Sequence, residues 1–288
     1  MRMKRAAFAL AALLVFASPV HAAGGEDLNQ SGAPASTLDL TLQLYAGGLP
    51  LGKAGLSARV QGGEYKATST LETLGFVNAF WQSRIETSAT GAVAGGSVRP
   101  EFYDSFSQYR RDARRHVRLN FRQDGPVPVE VVADPVYPET PYKVPEIEQR
   151  KGLDPLSAIV MLIAVAAAEA KSPCTAVAPV FDGRRRYDIS VELVRRMDIR
   201  MDNGLYSGPG MMCQFHYKQV AGYQQTLVQQ GKSLPPIYGW IAPVTSKLDP
   251  KRQYMLPMRV WAETEFGIIA ALATDAAIDG TPLKQMPR

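Results

Sequence analysis

Apolar and polar residues alternate along much of this chain. From residue 38 to residue 45 a leucine occupies every second position, with Asp39, Thr41 and Gln43 between them. The same alternation recurs in residues 187–193 and 213–217. This period of two predicts half-buried β-strands. Turn signals follow at intervals of about 8–12 residues, which is typical of sandwiches and barrels rather than of βαβ units.

Residues 154–171 break this pattern. Asp154 can cap the first amides of a helix, and Pro155 suits the first helical position. From Leu156 to Ala168 only Ser157 is polar. A helix that is apolar on all sides must be surrounded, and this one is shorter than a membrane span. We therefore predict a central buried helix at 154–171 that the β-strands cover.

The first 22 residues have the pattern of a signal peptide. Three basic residues precede an apolar stretch at 6–17, and small residues at 20–22 predict cleavage after Ala22. The alternative, a retained membrane anchor, fits less well because the stretch is short and Pro19 interrupts its end. We expect an exported protein, located in the periplasm, with no transmembrane segment after cleavage.

The mature chain is expected to contain one domain. Residues 23–36 predict a flexible leader, and 37–288 a single β-rich domain. Four prolines at 134–149 indicate a stiff crossover, although a domain boundary there is an alternative. Pro243 and the prolines at 235–236 predict a loop that carries Trp240.

The charge balance argues against a nucleic-acid partner. The whole chain has 32 Lys and Arg and 27 Asp and Glu, a net charge of +5. Loss of the signal peptide removes three basic residues and no acidic one, which lowers the net charge to +2. A chain this close to neutral does not indicate a general nucleic-acid-binding surface.

The two cysteines, Cys174 and Cys213, are expected to form a disulfide. Two cysteines in an exported chain most often pair, and the alternation places Cys213 on the core side of its strand. Closing a loop of about 40 residues stabilises a fold by roughly 3–4 kcal/mol. The alternatives, two free thiols or a metal pair, lack a CxxC motif and an accompanying histidine.

Catalytic and metal-binding motifs are absent from the sequence. It contains no GxSxG, HExxH, CxxC, Walker A or GxGxxG arrangement. The mature part has two histidines, His116 and His216, and neither has the neighbours of a metal ligand or a catalytic base. Asp182 suits a turn better than an acid catalyst. We predict no enzymatic activity, no catalytic residues, no cofactor and no metal.

Two features are candidate binding sites. Four basic residues share one face of a predicted strand: Arg114, His116, Arg118 and Arg122. They predict either a solvated sheet face or a strip that contacts an anionic lipid or an acidic protein. A curved sheet around a helix can also leave a ligand pocket, although core packing is the simpler explanation for the helix. The candidate lining residues are Phe76, Phe80, Trp81, Ile159 and Ile163.

Several short motifs, taken in order, resemble a known family. Tyr45 precedes a Gly-Xaa-Pro-Xaa-Gly turn, Gly-Gly-Xaa-Tyr occupies 62–65, and Arg99-Pro100 precedes Tyr103. Further along the chain come Asp-Pro-Leu-Ser at 154–157, Phe-Asp-Gly-Arg-Arg-Arg-Tyr at 181–187 and Ala-Gly-Tyr at 221–223. Residues 38–223 therefore resemble the periplasmic family known as domain of unknown function 3108.

The resemblance implies a fold and a location rather than a reaction. Such proteins are exported by Gram-negative bacteria and have no established enzymatic activity. They are similar in plan to β-spiral envelope-integrity proteins, which carry a disulfide. The implied fold is mainly β: a long curved antiparallel sheet, a β-spiral or open barrel, wrapped around one buried apolar α-helix. The family offers no catalytic residues to carry over.

Three functions remain open at this stage. The first is a non-enzymatic periplasmic protein that supports cell-envelope integrity through protein or cell-wall contacts. The second is a periplasmic carrier or sensor of a lipid or other apolar ligand, which an open cavity beside the helix would favour. The third is a hydrolase with an unusual site, which a buried cluster of acids with a serine or histidine would favour. The oligomeric state is unknown from sequence.

Overall fold

The described part of the chain comprises most of the predicted mature domain. A computed structural model describes residues 35–75, 77–80, 82–94, 96–109, 113–121, 129–137, 140–165, 174–224, 226, 228, 234–250, 252–265 and 267–283. The predicted signal peptide and all but the last two residues of the predicted leader lie outside these ranges.

Fourteen strands are present in the described residues, and all of them belong to one sheet. The strands before the crossover are β1 (Ser36–Ala46), β2 (Leu49–Gln61), β3 (Glu64–Thr73), β4 (Ser83–Ala94), β5 (Ser97–Tyr109), β6 (Ala113–Asn120) and β7 (Glu130–Asp134). The later strands are β8 (Val177–Phe181), β9 (Arg186–Arg200), β10 (Ser207–Ala221), β11 (Ile237–Thr245), β12 (Gln253–Thr264), β13 (Gly267–Ile278) and β14 (Thr281–Pro282).

The sheet consists of two antiparallel arms that meet in its middle. Strands β1 to β7 follow one another outward in sequence order, and β8 to β13 return inward from the opposite end. The arms join where β1 pairs with β13, from Leu38 opposite Ile278 to Ala46 opposite Ile269. The prediction of a mainly β protein with one long antiparallel sheet is therefore confirmed.

Helix α1 (Val77–Phe80) lies between β3 and β4, and the crossover between the arms contains two further helices. After β7 come α2 (Glu146–Gln149), α3 (Pro155–Val160) and a π-helical segment, Met161–Val165. The helix begins where the sequence predicts, because the Asp154 side chain accepts a hydrogen bond from the Ser157 amide. The described helical residues end at Val165, so the long helix predicted for 154–171 is not confirmed, and residues 166–171 lie outside the described ranges.

The helix has neighbours in both arms. Leu156, Val160 and Ile163 belong to the main core, together with residues of β1 to β6. Ala158 instead packs with Val180 of β8 and with side chains of β9. Leu153, just before α3, donates its amide to Pro179 O and accepts from Phe181 N, at 2.8 and 2.7 Å. The crossover thereby covers part of the free edge of β8.

The two ends of the sheet approach each other without pairing. No strand pairing joins β7 to β8 within the described ranges, so the sheet is not closed into a barrel. The turn between β8 and β9 instead packs against β6. A Cβ atom at Gly183, where φ is 89°, would lie 2.8 Å from Cγ1 of Val117. Arg184, from that turn, and Arg115, from β6, both lie over the Tyr137 ring.

The loop predicted around Trp240 is wrong. Trp240 and Pro243 both lie inside β11. A proline is tolerated in a strand where no ladder hydrogen bond requires its missing N–H. Pairing between β10 and β11 ends at Met211 and Ile241, so Pro243 has a neighbouring strand on one side only, opposite Met255.

Asp279 connects three parts of the fold. Its carboxylate accepts hydrogen bonds from the Thr37 amide and the Ser36 hydroxyl at the start of β1. It also accepts from Ser246 Oγ at 2.6 Å and from the amide of Lys247, between β11 and β12. Burial by itself would raise the pKa of Asp279, but these hydrogen bonds outweigh it and lower the pKa below the ordinary value of 3.8.

Replacing Asp279 by alanine is expected to lower the free energy of unfolding by roughly 2 kcal/mol at pH 7, because the donors lose a charged acceptor. Alanine is also unfavourable at the φ of 53° found there. A carboxyl group with a lowered pKa stabilises the fold above its unfolded pKa and loses that effect as the pH falls through its folded pKa. The difference from the parent protein should therefore shrink below about pH 4.

Urea unfolding between pH 2.5 and pH 7 measures this difference. The matched control is Asp275→Ala, which changes an exposed aspartate of β13, the strand that ends just before Asp279. It should alter stability by less than about 0.5 kcal/mol. Equal effects of the two substitutions at pH 7 would contradict the role assigned to Asp279.

Candidate functional site

An apolar cavity of about 120 Å³ lies beside the helix. The helix contributes Pro155, Leu156, Ile159, Leu162 and Ile163 to its wall. The β1–β7 arm contributes Leu42, Ser69, Thr87 and Tyr103. The other arm contributes Val180, Tyr187, Ile189, Val191, Phe215, Ile241, Met255, Pro257 and Val260, and Cys174 completes the lining. None of these side chains is ordinarily charged at neutral pH.

The helical period explains which helix residues reach the cavity. Ile159 and Ile163 are four positions apart and therefore lie on the same side of the helix, one turn from each other. Ile163 is buried, whereas Ile159 is half-buried. Apolar side chains on this side have both a packing partner and an open space beside them.

The predicted pocket residues have different outcomes. Ile159 and Ile163 line the cavity. Phe76 and Trp81 lie outside the described residues. Phe80 is the last residue of α1 (Val77–Phe80), and its side chain is not among those described. Sequence reasoning missed the wall formed by the β8–β13 arm. Alternation marked several of its residues as core-facing, but no local signal indicated which other strand they would face.

A buried polar cluster fixes the start of the helix. Asp154 Oδ1 accepts from the Ser157 amide at 2.8 Å, and Asp154 Oδ2 accepts from the Ser157 hydroxyl. Ser157 Oγ also lies 2.5 Å from the Tyr65 hydroxyl, which comes from β3. Burial raises the pKa of Asp154 to about 6, although its hydrogen bonds with Ser157 oppose that shift. The cluster ties the helix cap to the β1–β7 arm.

This cluster is also the place where a hydrolytic site would be sought, since it combines an acid with a serine. Both Asp154 and Ser157 have no exposed surface, so a substrate in solution cannot reach the hydroxyl oxygen. Burial, mainly, also raises the pKa of the Tyr65 phenol, which keeps it neutral. The geometry is that of a helix cap, and the absence of enzymatic activity stays a prediction.

A disulfide joins Cys174 to Cys213, with their Cα atoms 6.1 Å apart. Cys213 lies in β10 and belongs to a cluster of buried side chains with Met211, Ile241 and Met255. Cys174 is the first described residue after the helix. The bond thus connects the end of the crossover to the β8–β13 arm, at the wall of the cavity.

The basic strip is only partly available to a partner. Arg114 is exposed, whereas Asp104 of β5 contacts His116 Nε2 and lies 3.7 Å from the Arg118 guanidinium. Arg122 lies outside the described residues. The other candidate histidine, His216, lies 3.2 Å from Glu192 on the outer face. The strip therefore carries less net charge than its sequence indicates.

Asp182 is a turn residue, as the sequence predicts. Asp182 Oδ1 accepts from the amides of Arg184 and Arg185 at 2.8 and 2.6 Å, as a turn residue does.

Within the described residues there is no group of three or more His, Cys, Asp or Glu side chains placed to hold a metal. Among the helices described, none is long and apolar enough to cross a membrane.

Comparison with known proteins places the chain in a family. A family profile described as "Protein of unknown function (DUF3108)" matches residues 41–274. The chain belongs to this family. The DUF3108 match extends beyond the motifs that carry the resemblance in the sequence and includes β11, β12 and most of β13. A search of curated proteins found no match.

One similar solved structure is a beta-barrel-like protein of domain of unknown function DUF1849 from Brucella abortus. The alignment covers 86% of this DUF3108 chain and 98% of that chain, with 9% sequence identity and a TM-score of 0.49. With so low a score, we draw no conclusion from this likeness.

The raised pKa of Asp154 predicts a pH-dependent stability. A carboxyl group whose folded pKa is raised binds its proton more tightly in the folded state, so stability falls as the pH rises from the ordinary value of 3.8 to about 6. The expected loss across this window is up to about 3 kcal/mol. Asp154→Asn removes the titrating group and keeps an acceptor at the cap, so it should lack this loss.

Unfolding by urea at pH 4, 5, 6 and 7 measures the difference between the parent protein and Asp154→Asn. Asp275→Asn serves as the control, because it makes the same chemical change at an exposed position of β13. The assignment fails if the parent and Asp154→Asn proteins show the same pH dependence.

The disulfide predicts a second stability effect. Replacing both Cys174 and Cys213 by alanine is expected to reduce the free energy of unfolding by roughly 3–4 kcal/mol, because the unfolded chain is no longer closed into a loop. Guanidinium unfolding should show this loss as a lower unfolding midpoint in the double variant. The parent protein in dithiothreitol should behave like the double variant, and an unchanged unfolding midpoint in both samples would contradict the prediction.

Proposed function

We propose that this protein is a periplasmic carrier or sensor of a lipid or another apolar ligand, which binds in the cavity beside the helix. The observation that carries the proposal is the cavity wall, which both arms and the helix build from predominantly apolar side chains. Ligand sites in proteins are typically concave and mostly apolar, with a few polar groups that orient the ligand.

The arrangement of the sheet supports this function. The helix has neighbours in both arms, and the β8–β9 turn packs on β6. Among the described strands, no backbone pairing closes the sheet. We infer that the sheet curves around the helix as a β-spiral does. Such a curve keeps an apolar site out of water, and its ends are held by side-chain contacts that can separate more readily than paired strands.

The volume limits what the site holds. A dry cavity of about 150 Å³ lined by Leu, Ile and Phe binds benzene. The cavity here, at about 120 Å³, is of similar size. It therefore suits a small apolar molecule or one segment of a longer hydrocarbon chain. A whole lipid would extend beyond the cavity, so the bound part is its tail rather than its full length.

Location in the periplasm is part of the proposal. The first 22 residues have the composition of a signal peptide, and disulfides persist in oxidising compartments. In the periplasm, an apolar molecule that leaves a membrane needs a protein that shields it from water. Binding without catalysis is sufficient for that role.

Blocking the cavity should abolish binding. Val191 of β9 lines the cavity, and Val191→Phe is expected to weaken binding of hexane by at least about tenfold, because the ring occupies the free volume. Val194 lies three residues further along the same strand and is 47% exposed, so Val194→Phe is the matched control.

Hexane binding is measured by titrating ¹³C-methyl-labelled protein and following the methyl signals of Ile159, Ile163 and Val260. These signals should shift in the parent and Val194→Phe proteins. The same spectra report whether each variant is folded. Hexane that leaves all three signals unshifted in the folded parent protein would refute the proposed function.

Support of envelope integrity through protein or cell-wall contacts stays a prediction from the family resemblance. Purification from periplasm under mild conditions, followed by mass spectrometry, separates it from the carrier role. A stoichiometric lipid supports the carrier. A stoichiometric protein partner without lipid supports the envelope role instead.

A further inference from the structure

Neighbouring strands of the β1–β7 arm form a polar region of the cavity wall. Ser69 of β3 lies directly opposite Thr87 of β4, and Tyr103 of β5 lies opposite Ala89, two residues further along β4. Ser69, Thr87 and Tyr103 all line the cavity. They are 1%, 6% and 5% exposed, so their hydroxyl groups are removed from bulk water.

Ser69 and Thr87 keep hydrogen-bonding capacity for a ligand. Their hydroxyl oxygens contact each other, and Thr87 Oγ1 lies 3.4 Å from the Ser69 carbonyl oxygen. Each hydroxyl has one proton and two acceptor lone pairs. If Thr87 donates to the carbonyl and Ser69 donates to Thr87, Ser69 Oγ retains both lone pairs. If Thr87 donates to Ser69, the Ser69 proton is free to donate.

This pair can therefore accept from a ligand hydroxyl or donate to a ligand carbonyl. An aliphatic residue at either position would fill the space without a hydrogen bond, and the surrounding core is built from such residues. Two hydroxyls opposite each other on a mostly apolar wall give the cavity a defined polar region.

This polar region of the cavity wall carries no charge. The lining contains no Lys, Arg, His, Asp or Glu among the described residues. Burial raises the pKa of Tyr103, which keeps that phenol neutral. Placing a phosphate or carboxylate in such a wall would require removing its charge from water without a cationic partner, which is strongly unfavourable.

We infer that the site selects an apolar molecule carrying one neutral hydrogen-bonding group, such as an alcohol or an ester, and that Ser69 and Thr87 bind that group. This specificity rests on the proposed function, since it concerns the same cavity. It excludes the anionic headgroup of a phospholipid from the cavity and assigns the site to neutral lipids or similar molecules.

The test compares three probes of equal chain length: hexane, 1-hexanol and hexyl phosphate. Affinities come from the methyl shifts of Ile159, Ile163 and Val260 in the full mature protein. The variant is Ser69→Ala with Thr87→Val, which removes both hydroxyls with little change in volume. The control is Thr68→Val, because Thr68 is the exposed neighbour of Ser69 on β3.

The double variant should bind 1-hexanol about fivefold more weakly, since one or two net hydrogen bonds are lost. Its affinity for hexane should stay within about twofold of the parent, and Thr68→Val should match the parent for both probes. Hexyl phosphate should bind the parent at least about tenfold more weakly than 1-hexanol.

The specificity is overturned if the double variant weakens 1-hexanol no more than hexane, or if hexyl phosphate binds the parent as tightly as 1-hexanol. In that case hexane binding to the parent leaves the proposed function intact. If hexane and 1-hexanol both fail to shift the methyl signals, the proposed function and the specificity fail together.

Discussion

The contact between the apolar helix segment and the two sheet arms is the interaction on which the rest of the structure depends. The helix segment that contains Leu156 and Val160 has no polar face to present to water, so its side chains need packing partners on several sides. The β1–β7 arm supplies most of them, and β8 and β9 supply others through Ala158. Each arm in turn uses the helix to bury its inner face. One short segment thus serves as shared core for two arms.

Two pairs of buried polar side chains lie near this core. Asp154 and Ser157 are fully buried. Asp154 caps the helix by accepting from the Ser157 amide, and the Ser157 hydroxyl is hydrogen-bonded to the Tyr65 hydroxyl. Ser69 and Thr87 form a second such pair on the cavity wall. The first pair bonds to Tyr65 and fixes the helix start, whereas the second lines the cavity. This difference explains why Ser157 and Ser69 are assigned different roles.

Local patterns predicted the elements better than their arrangement. The alternation around Leu38 and Tyr187, the cap at Asp154 and the cysteine pair each depend on neighbours in sequence or on compartment, so they could be inferred. The pairing of β1 with β13 could not, because nothing local to Leu40 indicates a partner at Ala276. The strand containing Pro243 was missed for the same reason: whether a proline is tolerated depends on where the neighbouring strand ends.

The cavity shows the same limit. Ile159 and Ile163 could be proposed as its lining because the helix was recognised, but Val191 and Met255 come from strands that only the fold brings opposite the helix. The hydroxyls of Ser69 and Thr87 gave no signal either, since a serine or threonine in an alternating strand looks like an ordinary surface residue until its face is known. Sites built by several distant strands are therefore the least accessible to reasoning from one sequence.

The meeting of β1 and β13 at the centre of the sheet has a consequence for how the protein is made. As the chain is synthesised, the β1–β7 arm is made first, and one edge of β1 is without its β13 partner until nearly the whole remaining chain has been made. An unpaired apolar strand edge is prone to join another chain. This protein therefore has an exposed strand edge in the middle of its sheet until β13 is complete.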